Sequence, residues 1–288
     1  MGSLTRLGVA GWPVAHSRSP SMHNAALEAV GLDRWRYQRL PLAPELFAEA
    51  VRALPGVGFA GINVTIPHKE AALALADEAT PEARAIGAVN TLTFRPDGSI
   101  HGQNTDAPGF LAALPAPPTG ATALVLGAGG SARAVAFALR EAGAAHVRVW
   151  NRTPERAREV ARDLGVEATD TVGPADLLVN CTSVGLTDGE FKDLPLGADG
   201  LSTYATVADL VYRDGGTALI AEARGLGCAV VDGLEVLVRQ GALSFEAWTG
   251  HVAPIDAMRE GARGEFPDRH DPRKPNSPQA RHGRADGG

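Results

Sequence analysis

The chain has 288 residues, 44% of them hydrophobic, enough to bury the cores of two domains. A formal net charge of −6, with no basic block in the body, argues against nucleic acid as a partner but leaves acidic small molecules open. No apolar run is long enough for a membrane helix, and the first residues lack the charged segment and apolar core of a secretory signal, so a cytoplasmic protein without a membrane partner is expected.

In chain order, short apolar runs alternate with helical patterns. Leu7–Ala10 reads as a strand. Ser19 then serves as an N-cap with Pro20 behind it, opening a helix over Ser21–Val30 that Gly31 stops. Trp35–Leu42 is extended. Glu45–Leu54 spaces Leu46, Phe47, Ala50, Val51 and Leu54 along one helical face. Phe59–Val64 is extended, and alanine-rich His68–Ala79 is helical. Ala88–Phe94 and Ser99–His101 flank Pro96-Asp97-Gly98, a hairpin signal. The proline-rich stretch Leu114–Gly120 reads as a linker.

Beyond it come strand Thr122–Leu126, helix Ser131–Glu141, strand His146–Trp150 and helix Pro154–Leu164. Strands at Asp176–Cys181, Val207–Val211 and Cys228–Val231 follow, with helices at Thr217–Arg224 and Leu234–Trp248. This alternation implies a parallel sheet. Cys181 and Cys228 are the two cysteines and lie in apolar runs, so buried free thiols are expected rather than a disulfide or a metal site. Residues 264–288 carry four prolines, many charges and no aliphatic side chain larger than alanine, so disorder is expected there.

Residues 127–132 read Gly-Ala-Gly-Gly-Ser-Ala between a strand and a helix, the setting a dinucleotide fingerprint requires. Gly127 permits the tight turn, Gly129 lets the backbone approach a pyrophosphate, and Ala132 allows helix and strand to pack closely. The helix N-terminus offers free N–H groups to the phosphates. At the end of the next strand, NAD-binding proteins usually carry a carboxylate for the ribose hydroxyls. Here Asn151-Arg152-Thr153-Pro154 stands instead, with Arg156 in the first helical turn and Thr153 as its N-cap. Guanidinium groups pair with a 2′-phosphate, so NADP is expected over NAD.

Three polar clusters in the first half resist explanation as packing. Ser17 and Ser19 lie between a strand end and a helix start, where hydroxyls and N–H groups can meet an anion. Asn63, Thr65 and Lys69 leave a strand in alternation, and the lysine sits unfavourably at a helix N-terminus. Asn90-Thr91 and Asn104-Thr105-Asp106 flank the hairpin, which can bring Asn90 and Asp106 towards one edge.

The series HSRSP (16–20), NVTIPHK (63–69), GAVNT (87–91), GQNTD (102–106), GAGGSARA (127–134), NRT (151–153), NCTSVG (180–185), DLVY (209–212) and GLEVLVRQGALSF (233–245) resembles shikimate dehydrogenases, across residues 5–262. The resemblance implies an α/β protein with a mixed-sheet substrate domain over residues 1–104 and a Rossmann-like, doubly wound NADP domain over 105–238. C-terminal helices over 239–263 are implied to return to the first domain, with the active site in the cleft, and the molecule to be a monomer or homodimer. The implied reaction is reversible reduction of 3-dehydroshikimate to shikimate by NADPH, with Lys69 and Asp106 as the catalytic pair. Ser17, Ser19, Asn63, Thr65, Asn90, Tyr212 and Gln240 are implied to hold the substrate. Gly127, Ala128, Gly129, Gly130, Ser131, Ala132, Asn151, Arg152, Thr153, Arg156, Thr182, Ser183, Leu210 and Gly233 are implied to hold the cofactor. Val236 stands where the family usually carries methionine.

Three rival readings compete with this one. An NAD-dependent quinate/shikimate dehydrogenase is opposed by Arg152 and Arg156. A non-catalytic sensor of shikimate and nucleotide is opposed by the presence of both Lys69 and Asp106, and an enzyme acting on a one-carbon folate by the HSRSP motif.

Overall fold

The structure, a computed structural model, describes residues 4–186, 191–196, 198–213 and 215–264. Two six-stranded sheets follow one another along the chain. The first holds β1 (Thr5–Gly11), β2 (Trp35–Pro41), β3 (Phe59–Val64), β4 (Glu78–Ala79), β5 (Thr91–Phe94) and β6 (Ile100–Gln103), in the order β2-β1-β3-β5-β6-β4. Pairs β1–β2, β1–β3 and β4–β6 are parallel, and β3–β5 and β5–β6 antiparallel, so this sheet is mixed. Helices α1 (Ser19–Ala29), α2 (Phe47–Ala53), α3 (Lys69–Leu75), α4 (Pro81–Ile86) and α5 (Asp106–Ala113) belong to this half of the chain. On one face Leu7, Val9 and Tyr37 pack with Met22, Phe245 and Trp248. On the other, Ala10, Ile62 and Leu92 pack with Phe47, Val51 and Leu75.

The second sheet holds β7 (Thr122–Leu126), β8 (His146–Trp150), β9 (Glu167–Ala168), β10 (Leu177–Asn180), β11 (Thr206–Asp209) and β12 (Ala229–Val231). All of its pairs are parallel, in the order β12-β11-β10-β7-β8-β9. With α6 (Gly130–Glu141), α7 (Pro154–Leu164), α8 (Ala198–Leu201) and α9 (Ala218–Gly225) it forms the doubly wound arrangement. Its strands read as continuous apolar runs because both faces are covered. Ala123 and Val125 enter one core, Leu124 and Leu126 the other. The strand order reverses between β7 and β10, so the crevice beyond their carboxyl ends is the topological switch point where such sheets bind ligands.

Two devices join the halves. Ile86, Ala88, Ala107, Ala134 and Ala138 form a buried small-residue seam between α4, α5 and α6, across which Arg133 Nε donates to the Ile86 carbonyl at 2.6 Å. Then α10 (Gly233–Thr249) starts against the Leu210 and Val211 carbonyls and ends in the first core through Phe245 and Trp248, running unbroken through Val238. The final helix, α11 (Ile255–Arg263), packs on α1.

Several local expectations need correction. The alanine-rich stretch ends its helix at Leu75, because Glu78–Ala79 pairs with β6 and the Asp77 carboxylate accepts the Ile100 N–H at 2.8 Å. Sheet pairing there outweighs helix propensity, which is a weak force. Residues 44–57 form α2 flanked by 3₁₀ turns, and Leu46 is 55% exposed rather than core-facing. Ser19 does not cap α1: it is the first helical residue, and the N-cap position is Arg18. Thr153 holds the N-cap position of α7, but its side chain makes no cap bond. Both cysteines are free, lie just outside strand ends and are half-buried. Helix α5 escapes sequence reading because it contains Pro108-Gly109; the proline falls in the first turn, where its missing N–H costs nothing. Apart from Gly264, the stretch expected to be disordered lies outside the described residues.

Candidate active site

The dinucleotide turn sits at the switch point. Gly127 adopts φ +111°, and a Cβ there would fall 3.1 Å from the Cys181 carbonyl oxygen, so both conformation and space demand glycine. Nothing lies within 4 Å of a Cβ position on Gly129, which leaves that side of the turn open. Gly130 opens α6, whose first N–H groups have no partner within the helix. A cavity of about 560 Å³ is lined by Gly127, Ala128, Gly129, Gly130, Asn151, Arg152, Arg156, Thr182 and Ser183, with Lys69 at its wall. Two carboxylates, Glu70 and Asp193, also line it, but neither stands at the end of β8. The cavity, the glycine cradle and the two arginines fit a phosphorylated dinucleotide.

Five residues expected at the cofactor do not line this cavity. Ala132 is fully buried in the core against the sheet, the packing duty of the third small position. Thr153 offers its carbonyl to Asn151 Nδ2 at 2.9 Å. Ser131, Leu210 and Gly233 lie outside the lining, and Gly233 packs so closely that a Cβ would come within 2.6 Å of the Leu210 and Val211 carbonyl oxygens.

Lys69 is the first residue of α3 and Asp106 the first of α5. Their side chains are 10% and 15% exposed, and Nζ donates to Asp106 Oδ2 at 2.5 Å. A second Lys69 N–H reaches Ser131 Oγ at 2.9 Å, on the first turn of α6. Asp106 Oδ1 accepts from Asn90 Nδ2 at 2.8 Å, so the hairpin does bring Asn90 and Asp106 together. Asn104 fixes the start of α5: its Oδ1 accepts the N–H groups of Asp106 and Ala107, and its Nδ2 donates to the Ala88 carbonyl.

A buried polar network continues beneath the pair. Asn90 Nδ2 also reaches Gln240 Oε1 at 3.2 Å, and Asn90 Oδ1 accepts the Thr105 N–H at 2.7 Å. Asn63 Nδ2 donates to Ser244 Oγ at 2.8 Å and to Thr91 Oγ1 at 3.1 Å, while its Oδ1 accepts the Tyr37 hydroxyl at 2.7 Å. Tyr37 stacks on His23, centroids 4.3 Å apart. Burial pushes the His23 imidazole down to about 3, against a smaller pull from Asn63, so it is neutral at physiological pH.

Ser17 and Ser19 are buried, with the Arg39 guanidinium donating to the Ser17 carbonyl at 2.8 Å. Tyr212, from the second half, approaches them: burial raises its phenol, and contacts with the Arg18 N–H and the Ser17 hydroxyl pull it back. Thr65 follows β3, and Gly11 makes room for it, since a Cβ on Gly11 would lie 2.4 Å from Thr65 Cγ2. Ser244 and Tyr37 were not singled out from sequence. Ser244 carried a signal, standing four residues after Gln240 and so on the same helical face. Tyr37 carried none, because a strand tyrosine reads as packing.

Three family models match the chain. That for the shikimate dehydrogenase substrate binding domain matches residues 9–92, that for shikimate / quinate 5-dehydrogenase residues 114–183, and that for the shikimate 5'-dehydrogenase C-terminal domain residues 233–262. The shikimate dehydrogenase (NADP(+)) of Paramagnetospirillum magneticum is 46% identical over 272 residues, covering 90% of this chain and 98% of that one. The chain belongs to the shikimate dehydrogenase family. The shikimate 5-dehydrogenase of Thermus thermophilus, solved in complex with NADP(H) and shikimate, superposes with a TM-score of 0.80 at 45% identity, over 90% of this chain and 98% of that one. The 5-ketofructose reductase of Gluconobacter sp. strain CHM43 also superposes, with a TM-score of 0.80 at 33% identity over 91% of this chain and 98% of that one.

Proposed function

We infer that the chain catalyses the reversible NADPH-dependent reduction of 3-dehydroshikimate to shikimate. The observation that carries this reading is Lys69, which stands in the wall of a dinucleotide cleft and is paired with Asp106 at 2.5 Å. Bound NADPH supplies the hydride. As the ketone carbon is reduced, negative charge grows on its oxygen; the Lys69 ammonium stabilises that charge and delivers the proton. Asp106 orients the ammonium and accepts from a ring hydroxyl. Ser17, Ser19 and Tyr212 hold the substrate carboxylate, and Asn63, Thr65, Asn90 and Gln240 pair with its hydroxyls, each of which needs a partner once water is excluded. Gly127–Gly130 cradle the pyrophosphate, Arg152 and Arg156 meet the 2′-phosphate, and Thr182, Ser183, Leu210 and Gly233 flank the nicotinamide end. The division of labour is a substrate domain over 1–104, a cofactor domain over 105–238 and a returning segment over 239–263, working in the cytoplasm as a monomer or homodimer.

The deciding experiment follows NADP and NAD reduction with shikimate and with quinate. Shikimate with NADP is expected to give the highest kcat/KM by at least about tenfold, as charge-assisted pairing to the 2′-phosphate implies. Comparable rates with NAD and quinate would instead favour the quinate/shikimate reading, and no turnover at all a sensor.

A further inference from the structure

We propose that Ser131 is a positioning residue for Lys69, acting across the cleft from the first turn of the cofactor helix. This rests on Lys69 being the group that meets the ketone oxygen. A lysine ammonium has three N–H donors on a rotatable head. In this structure Asp106 Oδ2 takes one at 2.5 Å and Ser131 Oγ takes a second at 2.9 Å. Two acceptors fixed on different elements remove the rotation of the head, so the third N–H has one direction left. Asp106 alone would leave two equivalent N–H groups open to the ketone oxygen or to water.

The approach of α6 to the lysine is built into the sequence of the turn. A Cβ on Gly130 would lie 2.9 Å from Lys69 Cβ and 3.0 Å from Lys69 Cδ, so only glycine lets the stem of Lys69 run along the helix start. Gly130 admits the stem and Ser131, the next residue, receives the ammonium. A hydroxyl is needed for this. Alanine would satisfy the small size and helix propensity of the first turn equally well, so local structure gives no reason for serine.

The role differs in its signature from that of a phosphate ligand. Alignment of a donor matters most where charge develops, in the transition state, and less in the ground-state complex. Ser131→Ala is therefore expected to lower kcat about tenfold, the scale of a modest misalignment, with KM for NADPH and the shikimate Kd from calorimetry each changed less than about threefold. Ser131→Thr, which restores a hydroxyl, should recover most of the lost kcat. Thermal unfolding of each variant checks that the fold is intact, as expected for a serine-to-alanine change inside a helix.

An unchanged kcat in Ser131→Ala overturns the proposal. So does a raised KM for NADPH with kcat preserved, which would make Ser131 a cofactor ligand only. Failure of threonine to rescue a slowed alanine variant also counts against it. Lys69→Ala, assayed alongside, separates this inference from the one beneath it. Near-normal turnover there would remove Lys69 itself from the reaction, whereas an inactive Lys69→Ala beside a normal Ser131→Ala would remove only the role of Ser131.

Discussion

Asp209 illustrates how a buried carboxylate close to a site can serve architecture. It is 1% exposed, and its oxygens accept from Asn180 Nδ2 at 2.9 Å, the Val211 N–H at 3.1 Å and Thr217 Oγ1 at 2.6 Å. Through Asn180, whose Oδ1 accepts both the N–H and the hydroxyl of Thr182, it fixes a loop of the cofactor cavity. Burial pushes its carboxyl up to about 6, against the pull of those hydrogen bonds. An unfolded aspartate titrates at about 4, so between about pH 4 and 6 the folded chain keeps a proton that the unfolded chain has lost. Stability from this group is greatest below that window and falls as pH rises through it. Asp209→Asn removes the linkage. On acidification from about pH 7 to about 4.5, wild type should gain about 2 kcal/mol relative to this variant in urea unfolding; a difference that does not vary with pH would contradict the account.

At the scale of elements, the site depends on helices meeting closely. Gly109 in α5 faces α10, and a Cβ there would fall 2.6 Å from the Gln240 nitrogen and 2.7 Å from its Cα. Those neighbours are backbone, so an added methyl must displace the helix rather than a flexible side chain. Gly109→Ala is expected to cost about 1–3 kcal/mol through overpacking. By moving Gln240 it should also raise KM for shikimate about tenfold. Thermal unfolding and steady-state kinetics on one preparation test both; loss of stability with KM unchanged would detach Gln240 from the substrate. Trp248 anchors the far end of α10, where its Nε1 donates to the Leu92 carbonyl at 3.1 Å. Sequence pattern marks Leu234–Trp248 as a helix, but not that its two ends belong to different cores.

At the scale of the molecule, the groups of the proposed site come from both halves. Lys69 and Asp106 start helices beside the seam, Ser131 meets Lys69 from α6, and Arg152 and Arg156 line the same cavity as Lys69. The chain as a whole carries a net charge of −6, so the positive charge that this cavity offers a polyanion is local, from Lys69, Arg152 and Arg156. Arg152→Ala should raise KM for NADPH about tenfold to a hundredfold, the worth of one charge-assisted hydrogen bond, while KM for NADH barely moves. Equal effects on the two cofactors would show that the arginine does not read the 2′-phosphate.

The sequence by itself determined whatever depends on short-range pattern. Strands β7 and β8 and helix α7 fall where their apolar periodicity, capping positions and stop signals put them, and Gly127 stands where a positive φ is needed. The polar clusters at 16–20, 63–69 and 102–106 were visible because hydroxyls, amides and charges stood where packing wanted apolar residues. Tertiary structure decided what depends on partners distant in the chain. It cut α3 short at Leu75, because β6 offered a better partner for residues 78–79 than another helical turn. It relieved Ser19 of capping, and it joined Tyr37, Asn63, Thr91 and Ser244 into one buried network spanning more than 200 residues of sequence. Above all, it brought Ser131 to Lys69. A hydrogen bond between residues 62 positions apart leaves no periodicity in either segment, and it exists only because a seam of small residues lets the two halves close on each other.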